Sequence, residues 1–211
     1  MKGLIISSGN INDYILLNDL IDENDYIVCA DGGLDHIMRI DKIPDLLLGD
    51  FDSISDLGIK YIEDNNINIE RYPSIKDNTD TELAIKTLID KGIDNISLIG
   101  GSGTRLDHTL ANLFLLKKFN KDGVSLRMID DNNIVNYLVD SIEIKKSEGR
   151  FISIIPLNYD GIIVSLTGFK YKLNQKHIEY ASTLGVSNEI IEDVGIVKLD
   201  KGEALDFESL D

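Results

Sequence analysis

Short apolar runs alternate with longer amphipathic stretches through the first part of the chain. The runs Gly3 to Ser7, Tyr26 to Ala30, Asp45 to Leu48, Asn68 to Tyr72, Ile96 to Ile99 and Ser125 to Ile129 read as strands buried in a sheet. Between them, DTELAIKTLIDKG sets Leu83, Ala84, Thr87 and Leu88 on one helical stripe and closes on Gly92, a residue suited to a helix C-cap. LDHTLANLFLLKKF sets Leu106, Leu110, Leu113 and Phe114 on another stripe and carries lysines in its last turn, where they complement the helix dipole. Strands and helices in alternation predict β-α units and a mainly parallel sheet flanked by helices.

The pattern changes at Asn132. The runs NIVNYLV, SIEIKK, FISIIPL, GIIVSLTG and VGIVKLDKG are short and β-like, with Gly, Asn and Asp between them, while QKHIEYASTLG has room for a helical turn or two. This predicts an α/β fold over residues 1–131 joined without a flexible linker to a smaller antiparallel all-β, sandwich-like domain over residues 132–211. No internal repeat or low-complexity segment interrupts either part.

Charge narrows the partners. With 21 basic and 37 acidic residues the chain carries a formal net charge of -16, which argues against nucleic acid or an anionic membrane as the main partner. The single cysteine, Cys29, lies inside an apolar run and has no disulfide partner within the chain, so a reducing compartment is expected. MKGLIISSGN turns polar too early for a signal-peptide core, and no run approaches membrane-spanning length. The expectation is a cytoplasmic protein.

The unusual polar clusters follow the candidate strands: SSGN (7–10), ADGGLD (30–35), GDFDSI (49–54), KDNTD (76–80) and GGSGTRLDH (100–108). In an open parallel sheet such ends share one edge, the edge where ligands bind. The expectation is one cleft holding six carboxylates, those of Asp31, Asp50, Asp52, Asp77, Asp80 and Asp107. They cannot all stay ionised without countercharge. Magnesium would supply it, since it takes one or two carboxylates and completes its octahedron with waters and substrate phosphates. Zinc-type His and Cys spacing is absent.

Each cluster has a plainer alternative. GDFDSI is either half of a magnesium site or a solvated turn. Gly32 and Gly33 serve a ligand or only a tight turn, and Asp77 with Asp80 is either a ligand pair or an N-cap followed by a third-position acid. GGSGTR is a flexible loop, or an anion cradle made of backbone amides, a helix N-terminus and Arg105. It lacks the Walker pattern. His36 and His108 read as structural or supporting groups rather than catalytic bases.

Taken in order, ADGGLDH, PDLLLGDFDSI, KDNTDTELAI, GGSGTRLDHTLANL, SLTGFKYKL and LGVSNE closely resemble the thiamine pyrophosphokinase family over nearly the whole chain. The resemblance implies a catalytic, ATP-binding domain at 1–131, a thiamine-binding and dimerisation domain at 132–211, and a homodimer with active sites at the subunit interface. It also implies that Asp50, Asp52, Asp77 and Asp80 hold magnesium and, with Asp107, form the catalytic centre, with Asp31 close by. Gly100, Gly101 and Arg105 would hold the nucleotide phosphates, and Ser187 and Asn188 would face thiamine. Thr104 departs from a frequent family glycine, and Tyr171 stands where some relatives carry tryptophan; its ring is still able to stack on a cationic heterocycle.

The implied reaction is attack of the thiamine hydroxyl on the β-phosphorus of ATP, giving thiamine diphosphate and AMP with magnesium as cofactor. Asp80 or Asp107 would accept the alcohol proton. Two other readings keep the same cleft: a diphosphokinase or hydrolase with another acceptor, and a catalytically silent nucleotide sensor.

Overall fold

Parallel strands cannot be joined by a tight hairpin; each pair needs a crossover, and the amphipathic segments provide it. In the computed structural model, which describes residues 1–52, 54–73 and 77–211, this logic builds β1 (Lys2–Ile6), α1 (Tyr14–Asp22), β2 (Tyr26–Ala30), α2 (Gly33–Arg39), β3 (Leu46–Gly49) and α3 (Asp56–Asp64). The succession continues through β4 (Ile69–Arg71), α4 (Asp80–Asp90), β5 (Asn95–Ile99), α5 (Leu106–Asn120) and β6 (Ser125–Ile129). These elements form the unit Met1–Asp131, and Asn132–Asp211 forms a second.

In the first unit the strands run in the order β4-β3-β2-β1-β5-β6, every pair parallel. The chain moves outward from β1 to β4 on one side, then crosses to β5 and β6 on the other. Strand order therefore reverses between β1 and β5, where Leu4 is registered between Ile27 and Ser97. Such a reversal opens a crevice at the carboxyl ends of the two strands. Leu4, Ile5, Ile6, Val28, Cys29, Leu47, Leu48, Leu98 and Ile99 are fully buried, as expected for a sheet covered on both faces.

The two expected helices form, with instructive differences. Thr79, not Asp77, caps α4: its hydroxyl accepts from the Glu82 amide at 3.2 Å, and Asp80 is the first helical residue. Lys91 is the C-cap and Gly92 follows it at φ +78°, a glycine just past the last turn. In α5 the expected stripe is reversed. Asn112, Leu115, Leu116 and Phe119 face the core, whereas Leu106, Leu110 and Phe114 are 79%, 53% and 53% exposed. This segment is apolar on both sides, so periodicity alone cannot choose the buried one.

The second unit contains β7 (Asn133–Leu138), β8 (Ser141–Lys145), β9 (Arg150–Pro156), β10 (Ile162–Thr167), β11 (Leu173–Ile178), β12 (Val194–Lys201) and β13 (Ala204–Leu210). All pairings are antiparallel: β13 lies between β7 and β9, and the other strands follow the order β11-β10-β12-β8. Ile144, Ile152, Ile154, Val164, Phe169, Val197 and their neighbours form its core. The segment QKHIEYASTLG holds no helix; its first part lies in β11. Among the described residues, no helix is long and apolar enough to cross a membrane.

Candidate active site

The crevice between β1 and β5 is built by two loops. Ser7 N–H donates to the Ile99 carbonyl at 2.9 Å, carrying the sheet ladder one residue past β1. Beyond it, Gly9 N–H donates to Gly100 O at 2.8 Å and Asn10 N–H to Ser102 O at 2.9 Å, so SSGN and the glycine-rich loop lie edge to edge. Gly9 has to be glycine, because a β-carbon there would overlap the carbonyl oxygens of Gly100 and Ser102. Ser7, Gly9, Thr81, Gly101, Arg105 and His108 are among the residues lining the resulting cleft of about 320 Å³.

Buried hydrogen bonds set the loops in place. Ser7 Oγ and Thr81 Oγ1 share one at 3.0 Å, which binds the start of α4 to the end of β1. Asn112 Nδ2 donates to Gly101 O at 2.8 Å, and Ser102 Oγ to Asp130 Oδ2 at 2.9 Å. Arg105 occupies the N-cap position of α5 without a side-chain cap bond, and the His108 amide in the first turn donates to the Asp107 carboxylate. The Arg105 guanidinium grips Asp107, Nε to Oδ1 at 3.2 Å and a terminal nitrogen to Oδ2 at 2.6 Å. Both side chains are about two-thirds exposed, at 68% and 65%. The hydrogen bond from Arg105 holds the Asp107 carboxyl down at about 2.

The acidic motif stands at the end of β3. Asp50 Oδ1 accepts from the Asp52 amide at 3.2 Å, and Phe51 between them has φ +64°. Positive φ at a bulky aromatic residue is uncommon and marks an over-determined loop. The Arg71 guanidinium lies 5.5 Å from the Phe51 ring centroid, and Asp50, Asp52, Ile54, Ile62 and Arg71 share the wall of a cleft of about 240 Å³. Asp31, also at positive φ (46°), donates its amide to Leu48 O at 2.8 Å and so sits beside this loop. Asp77 lies in the bend before Thr79. Ser53 of GDFDSI and Lys76 of KDNTD fall outside the described residues.

The sequence places six carboxylates, those of Asp31, Asp50, Asp52, Asp77, Asp80 and Asp107, at the ends of these elements. Among the described residues, no three Asp, Glu, His or Cys side chains approach closely enough to enclose a metal ion. The carboxylates come from different strand and helix ends, and mutual repulsion disfavours their closer approach without a cation. The hard oxygen donors at Asp50, Asp52, Asp77 and Asp80 fit magnesium, which needs only one or two carboxylates.

In the second unit Tyr171, Ser187 and Asn188 come together. Asn188 is buried, and its amide clamps the backbone of Tyr171: Oδ1 accepts from Tyr171 N–H at 3.1 Å and Nδ2 donates to Tyr171 O at 2.9 Å. The Tyr171 ring stays 62% exposed, with Lys170 Nζ 5.7 Å from its centroid. Ser187 has φ +59° and donates its amide to Ser153 Oγ at 3.0 Å.

Sequence reasoning missed Ser7, Thr81, Asn112 and Arg71. The first three lie within or beside motifs read from the sequence, but their bonds join distant segments. Arg71 lies inside the candidate strand Asn68 to Tyr72, where it is the one cation.

Residues 17–128 match the family described as thiamin pyrophosphokinase, catalytic domain, and residues 140–202 the one described as thiamin pyrophosphokinase, vitamin B1 binding domain. The thiamine pyrophosphokinase of Bacillus subtilis is 36% identical over 214 residues, covering 100% of both chains. Its crystal structure superposes with a TM-score of 0.88 at 33% identity, again over 100% of both chains. That of the thiamin pyrophosphokinase of Geobacillus thermodenitrificans gives 0.87 at 26% identity, over 100% of this chain and 98% of the other. The chain belongs to the thiamin pyrophosphokinase family, enzymes that transfer the diphosphate of ATP to the hydroxyl of thiamine.

Proposed function

We propose that this reaction runs at the carboxyl edge of the first unit's sheet, with ATP phosphates in the crevice between β1 and β5. The observation that carries the assignment is the edge-to-edge seating of SSGN and the glycine-rich loop at the reversal of strand order. Backbone amides around Gly100 and Gly101 and the N-terminus of α5 bind the phosphates, with Asp31 beside the acidic loop. Asp50, Asp52, Asp77 and Asp80 hold magnesium, which when bound neutralises the diphosphate and polarises the β-phosphorus.

Arg105 exchanges its partner Asp107 for a phosphate oxygen, a stronger bidentate contact in a more negative setting. Freed of the guanidinium, Asp107 becomes more basic and accepts the proton of the thiamine hydroxyl. Asp80, committed to the metal, does not. The hydroxyl oxygen bonds to the β-phosphorus, the bond from that phosphorus to the α-phosphate oxygen breaks, and AMP leaves.

The second unit takes thiamine on Tyr171, with Ser187 and Asn188 shaping the pocket. The protein works as a homodimer in which these residues of a second copy complete each site; the outward apolar side of α5 at Leu106, Leu110 and Phe114 supports association. A cytoplasmic setting fits Cys29, a fully buried thiol whose pKa burial raises, with no second cysteine in the chain to pair with.

AMP release measured with and without thiamine tests the reading. Release that requires thiamine is expected. Thiamine-independent release would mean a hydrolase or another acceptor, and no release would mean a nucleotide sensor.

A further inference from the structure

The geometry points to His36 as a positioning residue for the nucleotide, acting through its hydrogen bond to the SSGN loop. Gly33 packs α2 directly on β1, where a β-carbon would overlap the Ile6 carbonyl, and His36 lies one turn further along. Its Nε2 stands 2.8 Å from Gly9 O, and its Nδ1 stands 3.0 Å from Tyr14 Oη. Arg39 in turn donates to Tyr14 Oη at 2.8 Å. A carbonyl only accepts, so Nε2 carries a proton; in the neutral ring Nδ1 accepts from Tyr14, whose oxygen accepts from Arg39. Donor and acceptor agree at every link, from Arg39 through Tyr14 and His36 to Gly9.

Gly9 and Asn10 need such a restraint. They line the cleft of about 320 Å³ on one side and another of about 350 Å³, shared with Asp35, His36 and Arg39, on the other. Gly9 has no side chain and Asn10 is exposed, so neither is fixed by packing of its own side chain. They are held by Gly9 N–H on Gly100 O, Asn10 N–H on Ser102 O, and the His36 ring on Gly9 O. Without the ring, the two backbone bonds to the glycine-rich loop remain but the Gly9 carbonyl loses its restraint, and the wall of the phosphate cradle becomes less well ordered.

The inference rests on ATP occupying that crevice, so its test reads nucleotide binding apart from turnover. Calorimetric Kd values for α,β-methylene-ATP with magnesium are compared for wild type, His36→Ala, His36→Gln and Tyr14→Phe, with thermal melts and steady-state KM values beside them. His36→Ala is expected to weaken nucleotide binding about tenfold, the effect of one well-placed hydrogen bond, and to raise KM for ATP without raising KM for thiamine. His36→Gln, whose amide nitrogen reaches about as far as Nε2, restores Kd to within about threefold, and Tyr14→Phe falls between. An unchanged Kd in His36→Ala, with or without a lower melting temperature, overturns the inference. So does a His36→Gln variant as weak as His36→Ala, or an equal rise in both KM values. Wild type that fails to bind the analogue would instead overturn the placement of ATP itself.

Discussion

Arg105 and Asp107 hold each other at the mouth of α5, and that pairing makes Asp107 a poor proton acceptor while it lasts. Arg105→Ala removes both the proposed phosphate contact and the proposed partner exchange. Its kcat is expected to fall by about a hundredfold or more, with the melting temperature unchanged because both side chains are solvent-exposed; a matched loss of stability would make the pair structural. At the acidic motif, Asp50→Asn preserves the acceptor that takes the Asp52 amide, so the loop keeps its turn while ligand charge is lost. Asp50→Asn and Asp52→Asn should each lose about a hundredfold in rate without unfolding, measured by initial velocity and by circular dichroism. A near-wild-type rate in either variant would restore the solvated-turn reading. Candidates such as these stand out in the sequence because carboxylates straight after strands are unusual. Ser7 with Thr81, and Asn112 with Gly101, were not, because each bond joins segments whose adjacency only the folded sheet creates.

At the scale of elements, the fully apolar parallel strands were plain in the sequence, and the elements that broke the pattern were missed. β11 exposes most of its residues at a sheet edge, so it lacks the alternation that marks a half-buried strand. β13 places a fully buried aspartate, Asp206, where the pattern calls for an apolar residue. Asp206 Oδ2 accepts from Asn136 Nδ2 at 3.3 Å, and Oδ1 has no hydrogen-bond partner. Burial pushes its pKa up to about 7, the Asn136 hydrogen bond opposes this, and the Glu208 charge on the same strand adds to it. The folded chain thus keeps a proton that the unfolded chain releases near its ordinary value of 3.8. Stability from this group is undiminished below that value, falls as pH rises from there to about 7, and is level above, a loss of about 4 kcal/mol. Asp206→Asn should therefore raise the melting temperature by several degrees at about pH 8 and change it little at about pH 4. A shift of equal size at both pH values would show that ionisation of Asp206 does not govern stability.

For the whole molecule, the sequence located the strand ends at the sheet's carboxyl edge but not their neighbours. Which loops touch is decided by the reversal of strand order between β1 and β5, a long-range property of the sheet. Assembly lies further still from local pattern; the outward face of α5 leaves Leu106, Leu110 and Phe114 exposed, and the proposed homodimer would use it. If each site needs Asp52 from one copy and Asn188 from another, mixing the inactive variants Asp52→Asn and Asn188→Ala should recover about a quarter of wild-type activity after random exchange. No recovery, once mass spectrometry confirms exchange, would place both residues in one chain's site. The central claim is that an intact diphosphate moves from ATP to thiamine, and phosphorus NMR of the products with magnesium, ATP and thiamine tests it most directly. The expected spectrum shows AMP and thiamine diphosphate growing in equal amounts, with no ADP; thiamine monophosphate with ADP, or AMP with free pyrophosphate, would contradict it.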